Sequence, residues 1–421
     1  MKKKIILILG LICIITGLTF TSCSAEKNVS VEDKPVSLNE EEENKASGGL
    51  DKLAEDGSDN EDVSKAEDEQ STENDTALLT IRDIPSIELI KEFSVGWNLG
   101  NTLDATGGML LSSETSWGNP KTKKEVFDAV KEAGFDIVRI PVTWQNHMGP
   151  EPDYKIHDMW LDRVQEVVDY AIDDGLYVIL NLHHEDWNFP SYDNFEKANT
   201  ILTSVWRQIA GRFKDYDEHL IFEAMNEPRM KGTQYEWTGG TAEARDVINK
   251  LNQSFVDTVR ASGGNNKYRH LMIPTYAASS DPNTWKDFVI PDDDKVIVSI
   301  HAYTPYNFAL NKNGTSKWSA DNKQDTYDID NLMNNIYNLF ISKGQAVILG
   351  EFGAMDKDNL EDRVNWARYY VQKASETGVP CLWWDNGAFT GDGELFGLLD
   401  RRNYTWVYPE IVEALTGRLD K

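Results

Sequence analysis

From Leu78 onward, short and largely apolar runs alternate with longer stretches in which apolar residues recur at helical spacing. The runs cover residues 95–99, 137–141, 176–182, 220–225, 270–274, 295–300, 346–349 and 379–384. Helical periods fill the intervals: 123–133 stops at Gly134, 159–174 at Gly175 and 361–377 at Gly378, each glycine standing where a left-handed cap belongs. In the second of these, Trp160, Val164, Val167, Val168, Ala171 and Ile172 form one stripe suited to packing on a sheet. Continuous rather than alternating apolar strands belong to a parallel sheet covered on both faces. Eight of them with intervening helices predict an α/β fold, a closed (β/α)8 TIM barrel over residues 77–421. An open doubly wound sheet is the alternative, but no glycine-rich phosphate loop follows an early strand, and polar and aromatic residues recur at the strand ends.

The first 76 residues have a different composition. Residues 1–22 combine Lys2, Lys3 and Lys4 with an apolar stretch and then small polar residues, which predicts a secretory signal peptide. Cys23, preceded by Ser22, resembles a bacterial lipoprotein processing site, and Phe20 stands where an aliphatic residue is usual; free secretion is the other reading. The protein is therefore expected outside the cell, or at its surface with a lipid anchor at Cys23. Residues 23–76 contain no aromatic residue and more than three acidic residues per lysine, including Glu40-Glu41-Glu42-Glu43. Such a segment cannot bury enough apolar surface to offset chain entropy, and is expected to be a disordered acidic linker. The whole chain has a formal net charge of −28. That excludes nucleic acid and anionic membrane surfaces as partners by repulsion, and leaves a neutral polymer as a fitting one. Cys381 is the sole cysteine of residues 77–421, so the barrel is expected to hold neither a disulfide nor a cysteine-based metal site. The chain is read as a monomer.

The candidate chemistry lies at the strand ends, which in such a barrel all open onto one face. In order these carry Asn98 and Asn101, Arg139, His183-His184-Glu185, Asn226-Glu227-Pro228, His301 and Tyr303, Glu351, and Trp383-Trp384-Asp385-Asn386. Glu227 and Glu351 each close an apolar run. Glycoside hydrolysis needs two facing carboxyls, one to protonate the departing oxygen and one to meet the oxocarbenium-like carbon; in retaining enzymes the second attacks directly from about 5–5.5 Å away.

The strings Gly96-Trp97-Asn98-Leu99-Gly100-Asn101-Thr102-Leu103-Asp104, Val138-Arg139-Ile140-Pro141-Val142, Asn226-Glu227-Pro228 and Gly350-Glu351-Phe352-Gly353, in this order, resemble glycoside hydrolase family 5, the retaining endoglucanase type. The opening and the Trp-Trp-Asp-Asn close are most similar to the branch acting on β-1,4-glucan, mixed-linkage glucan and xyloglucan. The resemblance implies Glu227 as general acid/base and Glu351 as nucleophile. Arg139, Tyr303 and His301 are expected on Glu351, holding it ionised. Glu227 is expected in a drier setting that raises its pKa. Asn226 is implied on the sugar 2-hydroxyl, His183 and His184 in the same subsite, and Trp384 beneath the ring being cleaved, with Asn98 and Asn101 also lining the substrate site.

His183-His184-Glu185 invites a metal reading. Adjacent histidines on a strand point to opposite sides, however, and no metal or cofactor is expected. Trp97, Trp117, Trp144, Trp187, Tyr192 and Trp237 could stack on further sugars or pack within loops. The reading is thus an endo-β-1,4-glucanase acting on β-glucan. The rivals are a xyloglucanase, lichenase, mannanase or xylanase of the same fold, a non-catalytic glycan-binding barrel, and a metal-dependent hydrolase.

Overall fold

The computed structural model describes residues 81–417. The expected signal peptide, Cys23 and the acidic linker lie outside the described residues. In chain order the elements are α1 (Ser86–Leu89), β1 (Val95–Leu99), α2 (Lys124–Glu132), β2 (Ile137–Ile140), α3 (Asp158–Asp173), β3 (Tyr177–Asn181), α4 (Tyr192–Arg212), β4 (Leu220–Glu223) and α5 (Ala242–Arg260). They continue as β5 (Leu271–Ser279), β6 (Val296–His301), α6 (Tyr306–Ala309), α7 (Lys323–Leu339), β7 (Ala346–Phe352), α8 (Leu360–Thr377), β8 (Cys381–Asp385), a two-stranded ribbon of β9 (Leu399–Asp400) and β10 (Thr405–Trp406), and α9 (Pro409–Thr416). Strands β1 to β8 pair in parallel in sequence order, and β8 closes on β1 through Val95–Cys381 to Leu99–Asp385. The expected (β/α)8 barrel is the fold.

Gly134, Gly175 and Gly378 take φ of 94°, 67° and 77° and end their helices as expected. One connection departs from the alternation. Between β5 and β6 there is only a short turn at Pro282–Trp285, and Trp285 packs edge-on against Phe340, 5.4 Å between ring centroids, to cover that flank.

Both faces of the strands are buried, for different reasons. Outward residues such as Val138, Val178, Phe222, Val298, Leu349 and Trp383 join the helices in one large apolar cluster. Inward, Ile137, Ile179, Ile221, Met272, Ile297, Ile348 and Leu382 fill the lower barrel. Leu89, Ile90 and Phe93 plug it from below. Each fully buried Ile or Leu contributes about 1.5–3 kcal/mol by transfer from water. This layer is therefore a rigid floor beneath whatever stands above it.

Candidate active site at the carboxyl ends of the strands

Two residues further along the same strands the inward positions change character. Ile137 is followed by Arg139, Ile179 by Asn181, Ile221 by Glu223 and Ile297 by Ser299, all fully buried. They hydrogen-bond to one another. Glu223 receives Arg139 Nε at 2.7 Å, Asn181 Nδ2 at 3.0 Å and Ser299 Oγ at 2.7 Å. Arg139 spends its other nitrogens upward and sideways: Nη1 donates to Glu351 Oε1 at 2.8 Å and Asn98 Oδ1 at 3.1 Å, and Nη2 to Asn226 Oδ1 at 2.7 Å. A buried guanidinium is thereby fixed between two carboxylates, and it holds the side chains of three strand ends in place.

Glu351 lies within β7 and Glu227 four residues beyond β4. Tyr303 donates its hydroxyl to Glu351 Oε2 at 2.8 Å. Glu227, Glu351 and His301 bring ligand atoms within 4.8 Å of one another. His301 differs from expectation. Its Nδ1 makes its hydrogen bond to Glu227 Oε1 at 2.8 Å, while Glu351 Oε2 stands 3.6 Å away. Burial alone pushes the His301 imidazole down, but the charges of Glu351 and Glu227 outweigh it and hold the pKa up.

The protonation of Glu227 in the free site is also a correction. Burial pushes its carboxyl up, as expected from the sequence; the hydrogen bond and charge of His301, with Arg229 and Arg139 behind, outweigh this and leave it below the usual range. A proton on the His301–Glu227 pair thus resides on the imidazole until a substrate displaces the balance.

Asn181 fixes the tautomer of His183. Its Oδ1 accepts from the Val142 amide at 3.1 Å, so Nδ2 is the donor facing His183 Nδ1 at 3.2 Å. His183 is kept neutral, burial holding its pKa well down with His184 and Arg139 adding to it, and Nε2–H is left as a donor. Its ring lies parallel to Trp384 at 5.7 Å. His184 stands beside Trp117 at 5.4 Å. Trp383 points to the helices against Phe352 and Trp366, and Trp384 points to the mouth, as strand alternation requires.

Asn98 is enclosed, with its amide nitrogen on the carbonyls of Gly350 and Trp383 and its oxygen on Arg139. It steadies Arg139, and both polar atoms of the side chain that was expected to line the substrate site are engaged within the protein. Asn101 adopts φ 56° in the turn after β1, its amide bound to Asp104 Oδ2 at 3.0 Å. Trp97 within β1 and Trp144 and Trp187 in loops are buried with their indole N–H groups on Asp385, the Asn181 carbonyl and Glu185. Trp117, Tyr192 and Trp237 are exposed. Asp104, His183 and His184 also come within 4.8 Å of one another. The Asp104 oxygens already accept from the amides of Asn101 and Thr102, so that cluster is engaged in holding a turn.

Glu223, Asn181 and Arg229 were missed by sequence reading. The signal for the first two was present: the isoleucine-to-polar step at period two recurs in phase on β2, β3, β4 and β6.

One oxygen of Glu227 and one of Glu351 lie within 4.8 Å of each other, in keeping with the close carboxyl pair of retaining enzymes, about 5–5.5 Å apart, rather than the roughly 6.5–9.5 Å of inverting ones. The class so defined is the retaining barrel glycosidases. The family model "Cellulase (glycosyl hydrolase family 5)" matches residues 103–390. Endoglucanase A of Ruminococcus albus is 50% identical over 340 residues, covering 80% of this chain and 93% of that protein. The cellulase/esterase CelE of Acetivibrio thermocellus is 51% identical over 345 residues, 81% of this chain, which spans only 41% of that relative's length. Among solved structures, a broad specificity endoglucanase of Ruminococcus champanellensis with bound cellotriose superposes with a TM-score of 0.78 at 50% identity, covering 80% of this chain and 99% of that one. The chain belongs to glycosyl hydrolase family 5, the cellulase family. It is an enzyme that hydrolyses glycosidic bonds.

Proposed function

We propose that the protein is an endo-β-1,4-glucanase that cleaves cellulose-type and related β-glucans with retention, Glu351 acting as nucleophile and Glu227 as acid/base. The observation that carries this reading is the asymmetry of the close carboxylate pair. Arg139 and Tyr303 both donate to Glu351, as suits a group that must stay ionised and aimed at the anomeric carbon. Glu227 is paired instead with an imidazole that can return a proton to it. In the first step Glu351 attacks carbon 1 while Glu227 gives a proton to the departing oxygen. Esterification then removes the Glu351 charge, one of the two that hold the proton on His301. In the second step Glu227 takes a proton from the incoming water and the ester opens. Asn226, whose oxygen is taken by Arg139, keeps its Nδ2 for the sugar 2-hydroxyl, and Trp384 provides an apolar face beneath the same ring. No step in this scheme calls for a metal or cofactor.

A neutral β-glucan is compatible with the acidic surface, and the broad specificity of the R. champanellensis relative favours a range of soluble glucans. Secretion, with tethering through Cys23 and the linker as spacer, is part of the same proposal, as is action as a monomer. The test is turnover by the full chain on carboxymethylcellulose, mixed-linkage glucan, xyloglucan, mannan and xylan. A rapid viscosity drop with products of mixed length on the glucans is expected. Binding of the same polymers with no turnover would replace this reading with a non-catalytic one.

A further inference from the structure

Arg401 lies in the turn between β9 and β10 and takes no part in the bond-breaking steps. It is buried, and its guanidinium reaches back across 301 positions of sequence to the seam where β8 closes on β1. On the β1 side, Nη1 donates to the Gly100 carbonyl at 2.8 Å and to Thr102 Oγ1 at 2.9 Å. On the β8 side, Nη2 donates to the Asp385 carbonyl and stands 3.3 Å from Asp385 Oδ1. The Gly100 amide donates to that same Asp385 carbonyl at 3.0 Å, so one guanidinium braces both peptides of a single contact between the strand ends. The Asp385 carboxylate is fixed in turn. It accepts from the Trp97 indole at 2.9 Å and from the amides of Gly387, Leu398 and Leu399 at 2.8, 3.0 and 2.9 Å. The planar fork of an arginine suits this bridge, because its donors leave in fixed directions to several acceptors at once.

What this seam carries is Trp384. Its indole is parallel to the ring of His183, and the benzo edge of the indole lies on Gly100. A Cβ added at Gly100 would stand 2.9 Å from Cζ2 and Cη2 of that ring and 2.9 Å from the Asp385 carbonyl oxygen, inside van der Waals contact. Only a bare backbone lets the ring rest where it does. The indole thus stands on a floor, Gly100, whose distance from β8 is held by Arg401. We propose that Arg401 is a positioning residue for the reaction: by clamping the Gly100 and Asp385 peptides together, it sets the height and tilt of Trp384 beneath the sugar ring that is cleaved. That ring flattens toward an oxocarbenium-like state, and an apolar platform favours the change only at contact distance. A gap of about 0.5–1 Å already forfeits a quarter to a half of the attraction between two atoms. The inference rests on the reading of Trp384 as that platform, which Trp384→Ala checks by itself.

The test is a set of double-mutant cycles in the full chain, read as kcat and KM on an aryl β-cellobioside with a good leaving group. Trp384→Ala alone should lower kcat/KM about tenfold or more; no loss would remove the platform and the clamp with it. Arg401→Lys keeps the charge, but its single nitrogen cannot hold Gly100, Thr102 and Asp385 together. It should lower kcat about tenfold with KM almost unchanged, and should cost less than about twofold further once Trp384 is alanine. A residue that only stabilised the fold would give the same loss in both backgrounds, and that result would overturn the clamp while leaving the platform in place. Thr102→Val is a milder change that removes one acceptor and spares the Arg401–Asp385 pair; it should show the same dependence on background with a loss of about threefold. Gly100→Ala keeps the hydrogen bonds of the clamp and drives a methyl against the indole. It should lower kcat about tenfold, and Trp384→Phe, harmful in the wild type, should recover part of that loss by withdrawing the benzo edge. Losses from Gly100→Ala and Trp384→Phe that simply multiply would overturn the proposal.

Discussion

Glu223 offers the sharpest check on how this active site is held together. It is fully buried, and every donor it receives is buried as well. Glu223→Gln keeps the volume and one acceptor oxygen but removes the charge facing Arg139 Nε at 2.7 Å. Breaking a buried pair from one side costs about 3–5 kcal/mol, and the retained hydrogen bonds place this change near the lower end, about 3 kcal/mol. For a barrel of this size that corresponds to a fall in Tm of roughly 4 °C. The exposed Lys91–Glu88 pair, at a similar 2.7 Å, is the control; Glu88→Gln should change stability by less than about 0.5 kcal/mol because solvent screens it. Turnover should fall as well, since an Arg139 no longer shared with Glu223 binds Glu351 more tightly and blunts its attack. Urea unfolding and thermal scans of the full chain, run beside activity on a soluble glucan, measure both effects. A Glu223→Gln protein no less stable than Glu88→Gln would refute the view that the polar layer is an electrostatically closed unit.

Further expectations follow from the same geometry. Glu351→Gly should abolish turnover and be partly rescued by azide with a glycosyl azide of inverted configuration, while Glu227→Ala should retain activity on substrates with good leaving groups; the reverse behaviour would exchange the two roles. Gly350→Ala would place a methyl 3.1 Å from His301 Nε2 and 3.3 Å from Met272 Cε, so kcat should drop about tenfold or more with little change in Tm; unaltered kcat would show that His301 need not be held so closely. His147 and His270 are buried and held down, by burial first and by neighbouring positive charge second, to about 4 and about 3. Between those values and an ordinary histidine pKa near 6.5 the unfolded chain binds the extra protons, so stability rises with pH across that window and is lost as pH falls through it, by about 3 kcal/mol for each histidine at pH 4. Unfolding free energies measured from pH 7 to 4 should show this loss, and His147→Gln should remove part of it; a flat profile above pH 5 would contradict the burial of both rings.

The eight strands were legible because a parallel strand covered on both faces must be apolar at successive positions. The helix ends were legible because a left-handed cap admits glycine at little cost. Glu227 and Glu351 could be singled out because the carboxyl ends of such strands share one face, so residues 124 positions apart in this numbering converge once the barrel closes. Side-chain partnership was another matter. That His301 bonds to Glu227 rather than Glu351, and that its proton lowers rather than raises the acid's pKa, depends on offsets of less than an ångström between 2.8 and 3.6 Å. Asn98 looked like a substrate contact because of its position near a strand's end, yet closure of the barrel turned its amide onto carbonyls of β7 and β8. Trp237 and Trp187 are alike in sequence; only the placement of Arg229 beneath one and of Glu185 beside the other separates an open ring from a packed one. By itself, then, the sequence determined the architecture and the pair of carboxylates, since periodicity and strand-end position are local properties of the chain. The tertiary structure decided which partner each charge takes, because electrostatic and hydrogen-bond energies change steeply over distances that no spacing along the chain encodes.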